Sequence, residues 1–216
     1  MGPNARQLNG RPTRVEKARI TREALFKAAA QVVGKVGYVD ASIADITRLA
    51  GVAQGTIYSY FASRQDLFDQ LLPKMGEEME EYVRARVHGS RTGLEVEERG
   101  FRAFMDYIVE NPGFLRVLNE AETLAPKAFH QHFKNVSKRY VSSLSRSRDN
   151  GELGEYNHRD LEVIAYILMA ARSYLAMRFA RRKNTVRSLP ESVIKAYLRF
   201  VSGGLNPGTV TSKAVR

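Results

Sequence analysis

Almost every segment of this chain has the hydrophobic spacing of an α-helix, and this feature most limits the folds open to it. Apolar residues recur at intervals of three and four, as in Leu25, Ala28, Ala29 and Val32. Sustained alternation of polar and apolar residues, which is typical of strands, is absent, and no Asn-Gly or Asp-Gly turn joins two apolar runs. The sequence therefore predicts an all-α fold.

Capping and helix-breaking residues divide the chain into separate helices. Thr21, Ser42 and Ser63 are suitable N-terminal caps, and Gly37 and Gly51 are suitable stops. Pro73 should kink the helix in which it lies or adjust its first turns. The predicted helices span about 21–36, 43–50, 54–60, 64–87, 92–110, 113–122, 125–148, 159–182 and 190–202.

Two of the predicted helices, at 43–50 and 54–60, are short and are joined by the tight turn Gly51-Val52-Ala53. This arrangement is typical of a helix-turn-helix, in which the first helix braces the second and the second enters the DNA major groove. A helical hairpin in an ordinary bundle is the alternative. Ile46, Leu49 and Val52 should fix the crossing angle, Ile57 and Phe61 should face the core, and the outward set is Gln54, Thr56, Tyr58, Ser59 and Tyr60.

The charge of the chain favours a polyanionic partner. Thirty-four Lys and Arg residues against 23 Asp and Glu residues give a net charge of +11. Residues 1–22 alone carry six basic residues and one acidic residue. Nucleic acid is the commonest partner of such a basic protein, and a basic arm can follow phosphates or enter a minor groove. We expect a flexible basic arm over 1–20.

Other function classes lack their signals. The chain has no cysteine, which excludes disulfides, thiolate metal sites and a cysteine nucleophile. It has no dinucleotide, phosphate-loop or hydrolase motif, and His130 and His132 point to different sides of a helix. We therefore expect no enzyme, no catalytic or metal-binding residue and no cofactor. The longest apolar run, 163–171, is half of the roughly 18 residues that a membrane span needs, so we expect a cytoplasmic protein without a membrane partner.

One motif carries a resemblance to a known family. Gly51-Val52 is followed by Gly55-Thr56-x-Tyr58-x-Tyr60-Phe61-x-Ser63-Arg64. With this motif, residues 21–72 resemble the DNA-binding domain of the TetR family of bacterial repressors. The resemblance implies three N-terminal helices that bind DNA and a C-terminal helical domain that binds a small effector and dimerises. The predicted organisation is an arm at 1–20, a DNA-binding domain at 21–67, an effector and dimerisation domain at 68–205 and a disordered tail at 206–216.

The same resemblance implies which residues contact DNA. A palindromic double-stranded operator is expected, because its symmetry matches that of a homodimer. Ala44 and Gln54 depart from residues frequent in the family, which should alter the operator sequence and not the ability to bind DNA. The implied DNA contacts are Ser42, Gln54, Gly55, Thr56, Tyr58, Ser59, Tyr60 and Arg64.

The predicted helix at 159–182 is apolar nearly all round, so it must be covered on most sides. In the TetR family the last two helices pair across a two-fold axis into a four-helix bundle. The resemblance therefore implies dimerisation through 159–182 and 190–202. Packing of both helices within a single core is the alternative.

Aromatic, methionine and isolated polar residues of the second domain could line an effector pocket, although an aromatic or methionine residue in such a position more often belongs to the core. Arg172 could pair with Glu120 or Glu122, or orient a ligand carboxylate or phosphate. Fatty acids and acyl-coenzyme A are loosely indicated as effectors. The function predicted is a repressor released from DNA by an effector, and the alternative is a ligand-independent repressor or activator. The candidate pocket residues are Phe104, Met105, Phe114, Asn119, Glu122, Tyr166, Met169 and Arg172.

Overall fold

The computed structural model describes residues 13–153, 156–182 and 185–205. Within these ranges the chain forms helices and no strand, apart from one isolated antiparallel bridge between Arg181 and Val186. The all-α fold expected from the sequence is confirmed. Most of the predicted arm, at 1–12, and the predicted tail, at 206–216, lie outside the described residues.

The helices follow the predicted order, and most of them begin and end within two residues of the expected positions. The first helix differs most in its bounds, and the helix predicted at 159–182 ends in a π-helical turn, Ala176–Ala180. The elements are α1 (Arg14–Asp40), α2 (Ile43–Ala50), a 3₁₀ helix (Gln54–Ser59), α3 (Arg64–Val87), α4 (Gly93–Glu110), α5 (Phe114–Leu124), α6 (Pro126–Asp149), α7 (His158–Leu175) and α8 (Glu191–Leu205).

Helix α1 begins seven residues before the predicted start, so residues 14–20 are helical and do not belong to a flexible arm. The cause is a capping box: Thr13 Oγ1 accepts a hydrogen bond from the Glu16 amide (3.2 Å), and Glu16 Oε2 accepts one from the Thr13 amide (2.7 Å). At the other end, Gly37 has a φ of 88° and breaks the helical conformation where the stop was predicted. The chain then continues to Asp40 as a kinked extension.

Two serines cap the next helices as the spacing predicts. Ser42 Oγ accepts a hydrogen bond from the Asp45 amide, and Ser63 Oγ accepts one from the Asp66 amide, each at 3.0 Å. These caps satisfy amide groups that have no partner within the helix. They fix the starting points of α2 and α3, and α3 then continues through Pro73 to Val87.

The hydrophobic core is continuous along the molecule. One cluster of buried side chains runs from Leu25 and Ile46 in the N-terminal helices to Ile194 and Val201 in α8. Helix α3 crosses the boundary predicted at 67/68, so it belongs to both proposed domains. A change in packing in the C-terminal part can therefore reach the N-terminal helices through direct contacts.

Candidate DNA-binding surface and effector cavity

Helix α2, a tight turn and the 3₁₀ helix form the helix-turn-helix expected from the spacing. Gly51 ends α2 in the left-handed conformation, with a φ of 70°, which glycine adopts without a steric penalty. Ile46 and Ile57 are buried and hold the two helices against the core. Leu49, which was expected to help fix the crossing angle, is half exposed (49%) and lies at the edge of this contact.

The outer surface of the 3₁₀ helix is polar and accessible. Ile57, within this helix, and Phe61, just after it, are buried in the core. The Tyr58 side chain is the most prominent aromatic group on this surface, with 57% of its area exposed. Of the predicted DNA contacts, Gln54, Gly55, Tyr58 and Ser59 are exposed, and Ser42, Thr56, Tyr60 and Arg64 are partly buried.

Arg64, a predicted phosphate contact, makes several contacts within the protein. Its Nε donates to the carbonyl oxygen of Ala41 (2.9 Å), and its Nη2 donates to the carbonyls of Val39 (2.9 Å) and Tyr38. The guanidinium also lies over the ring of Phe68, 4.6 Å from its centre. Arg64 therefore ties the end of α1 to the start of α3, directly beside the cap of α2.

A cavity of about 940 Å³ lies among α3, α4, α5, α6, α7 and α8. Such a volume is within the range of small-molecule sites. Four exposed cationic side chains lie around it, one on α3 and three on α6. They are Arg84, Lys138, Arg139 and Arg146. The wall is mainly apolar and includes Met79, Val83, Phe104, Phe114, Leu118 and Met169.

Glu97 of α4 forms the centre of a buried polar cluster in the cavity wall. Its carboxylate accepts a hydrogen bond from Arg172 Nη2 of α7 (2.8 Å) and from the phenols of Tyr140 in α6 and Tyr197 in α8. Burial raises the pKa of both tyrosines, so both phenols stay protonated and can donate at neutral pH. One carboxylate therefore holds four helices together. Arg172 keeps its Nε–H without an acceptor among the described residues.

A second buried polar region lies where α6 passes α3. His132 is 5% exposed, and burial lowers its pKa to about 4, so the ring is neutral at pH 7. Gly76 provides the space for this ring, because a Cβ at Gly76 would overlap it. Burial also raises the pKa of Glu80, although the nearby Arg139 partly opposes the shift. Both His132 and Glu80 line the cavity.

The structure places the predicted pocket residues in two groups. Phe104, Phe114, Met169 and Arg172 line the cavity. Met105 is buried in the core outside its lining, and Asn119, Glu122 and Tyr166 are exposed on the outer sides of their helices. The side-chain partner of Arg172 is Glu97, and neither Glu120 nor Glu122.

Two residues of the polar cluster, Glu97 and Tyr197, were not predicted to take part in a pocket. The sequence does indicate that Glu97 is buried, because this acidic residue lies on the same apolar face of α4 as Phe101 and Phe104. A carboxylate in that position needs buried partners, which Arg172 and the tyrosines provide.

Helix α7 has an exposed apolar face in addition to its buried one. Val163, Ile167 and Tyr174 lie on one stripe and are 59%, 52% and 70% exposed. Phe200 of α8 is 73% exposed. Such a concentration of exposed large side chains is typical of an interface.

By length and composition alone, His158–Ala180 is apolar enough to cross a membrane. Glu162 and Arg172 limit its longest uninterrupted apolar run to 163–171, which is why the run length alone did not predict a span. The core helix of a soluble protein can pass the same test. The pairing of Arg172 with Glu97 inside the helical bundle favours that interpretation.

Comparison with known proteins agrees with the architecture. Residues 25–71 match the family model described as "Bacterial regulatory proteins, tetR family". Over 186 residues the chain is 21% identical to the HTH-type transcriptional regulator YhgD of Bacillus subtilis, covering 86% of this chain and 96% of that protein.

Two solved structures have the same fold. The fatty acid degradation regulator FadR of Bacillus halodurans aligns with a TM-score of 0.69 at 21% identity, covering 86% of this chain and 96% of that one. FadR of Bacillus subtilis, in complex with stearoyl-CoA, aligns with a TM-score of 0.67 at 18% identity, covering 84% and 98%.

Proposed function

Because the chain belongs to the TetR family of transcriptional regulators, we propose that it binds operator DNA as a homodimer and that a small effector in the 940 Å³ cavity releases it. The observation that carries the proposal is the combination of a polar, exposed 3₁₀ helix with a cavity in the same continuous core. Residues 13–67 form the proposed DNA-binding part and residues 68–205 the proposed effector and dimerisation part. A cytoplasmic location follows from a DNA partner.

The proposed DNA surface consists of the 3₁₀ helix and the start of α2. Gln54, Tyr58 and Ser59 offer hydrogen-bonding groups to base edges and phosphates. Ser42, Gly55, Thr56 and Tyr60 lie beside them. Arg64 supports this surface from behind, since its guanidinium holds backbone carbonyls next to Ser42.

Tyr58→Ala should weaken binding to the operator by about 5- to 150-fold, because one good side-chain contact to a base contributes roughly 1–3 kcal/mol. The operator is a duplex selected by the wild-type protein from a random-sequence library, and affinity is measured by fluorescence anisotropy. Tyr58→Phe is the matched control, which separates the ring from the hydroxyl. Wild-type affinity in Tyr58→Ala would remove Tyr58 from the interface.

The proposed effector is an amphiphile with a long apolar chain and an anionic head, such as a fatty acid or an acyl-coenzyme A. The apolar wall suits the chain, and the cationic side chains around the cavity suit the head. Arg172 has an unused donor with which it could bind a carboxylate or phosphate oxygen. The stearoyl-CoA in the FadR structure supports the same class.

Stearoyl-CoA at about 100 times its dissociation constant should raise the unfolding free energy by about 2.7 kcal/mol. For a chain of this length that corresponds to roughly 5–10 °C in melting temperature, measured by differential scanning fluorimetry. Coenzyme A alone should produce a much smaller shift, because it lacks the apolar chain. Equal shifts with both compounds, or none with stearoyl-CoA and stearate, would contradict this effector class and favour the ligand-independent regulator.

A further inference from the structure

Helix α5 has one face on the cavity and the other on the DNA-binding part. Phe114 and Leu118 line the cavity. At the start of α5 the N-cap residue, Gly113, packs directly on Gly34 of α1: a Cβ added to Gly34 would lie 2.5 Å from the Cα of Gly113. The two backbones are in direct contact here. No flexible side chain lies between them that could accommodate a small displacement of α5.

An ion pair on α5 holds the kinked end of α1. Arg116 Nε donates to Glu120 Oε1 (2.7 Å), and Arg116 Nη1 donates to the carbonyl of Lys35 (2.6 Å). Glu120 Oε2 accepts a hydrogen bond from the amide of Tyr38 (2.9 Å). The two side chains also occupy the space beside Gly37, where a Cβ would lie 2.7 Å from each of them. We name Arg116 and Glu120 the α5 clasp.

The same end of α1 connects to the helix-turn-helix. The carbonyls of Tyr38 and Ala41 accept hydrogen bonds from Arg64, and Ala41 directly precedes Ser42, the cap of α2. The chain of contacts therefore runs from the cavity wall through α5 and the α5 clasp to the first residue of the helix-turn-helix. It reaches α2 through the kinked end of α1, where Arg64, the first residue of α3, holds the same backbone carbonyls.

We infer that the α5 clasp couples the cavity to the DNA-binding surface, with Arg116 and Glu120 acting as positioning residues that fix α2 through the kink at Gly37. The inference rests on the proposed function, since it assumes that occupation of the cavity changes DNA binding. An occupant that displaces Phe114 or Leu118 moves α5, and the clasp passes this movement to α1.

A double-mutant cycle tests the coupling without knowledge of the effector. Leu118→Phe adds side-chain volume to the cavity and stands in for an occupant. In the wild-type background it should change affinity for the selected operator duplex by about 5-fold or more, as is typical of allosteric coupling. In a Glu120→Gln background the change should fall below about 2-fold. Glu122→Gln is the matched control: its carboxyl is exposed on the same helix, so the full effect should remain.

A second measurement does not require DNA, so it still tests the coupling if a variant loses DNA binding for another reason. Hydrogen exchange of the α2 amides should respond to Leu118→Phe in the wild-type background and not with Glu120→Gln. Equal responses in both backgrounds, or no response in the wild type, would overturn the inference. If the wild-type protein selected no duplex, the proposed function would fail, while the exchange data would still decide whether the clasp couples the two parts.

Discussion

Glu97→Ala is expected to lower the free energy of unfolding by about 3–5 kcal/mol, because it breaks a buried ion pair by removing one partner. The side chains of Glu97 and Arg172 are 6% and 11% exposed, so the Arg172 charge would stay in the interior without its counter-ion. The phenols of Tyr140 and Tyr197 would lose their acceptor at the same time. All four helices that meet at Glu97 should loosen.

Urea denaturation followed by circular dichroism measures this loss. The matched control is Glu98→Ala, one residue along α4. Glu98 is 43% exposed and pairs with Arg102 on the surface, and exposed pairs contribute at most about 1 kcal/mol. If the two variants lost equal stability, the Glu97 cluster would not be the structural centre described above.

A Glu97→Ala protein that is folded at low temperature has a second use. Because the cluster forms part of the cavity wall, its loss should also weaken binding of stearoyl-CoA if Arg172 orients the head group. Unchanged ligand affinity together with reduced stability would give Arg172 a purely structural role.

Local patterns predicted the helices well, because caps and stops act over three or four residues. Ser42 with Asp45, Ser63 with Asp66, and the left-handed Gly51 are all visible in the sequence and act as expected. The start of α1 was placed too late, although Thr13 and Glu16 have the same spacing. The basic residues around them suggested an arm, and the capping box overrode that composition.

The partners of buried charges could not be predicted in the same way. Arg172 and Glu97 lie 75 residues apart, and nothing in the local sequence specifies which carboxylate the fold brings to Arg172. Glu120 was a reasonable alternative, but the kink at Gly37 brings the Tyr38 amide to it instead. For the same reason the three carbonyl partners of Arg64 were not predicted, since they come together only when α1 and α3 pack.

Ile167→Glu should convert the proposed homodimer to monomer at micromolar concentration. Ile167 is 52% exposed between Val163 and Tyr174 on the apolar face of α7, with Phe200 of α8 also exposed. A two-fold interface contains each position twice, so one substitution would bring two carboxylates into an apolar contact. A cost of about 3 kcal/mol or more raises the dissociation constant by at least roughly 100-fold. Sedimentation velocity measures the change.

The same variant tests whether DNA binding requires the dimer. Its recognition surface is unaltered, so a loss of operator affinity in parallel with dissociation would show that two helix-turn-helix units must bind together, as a palindromic operator requires. Val39→Glu is the control for oligomeric state, because Val39 is 72% exposed on a different part of the molecule and should leave the dimer intact. A dimeric Ile167→Glu protein would place the interface on another surface. Monomers with full operator affinity would contradict the need for a symmetric pair of recognition units.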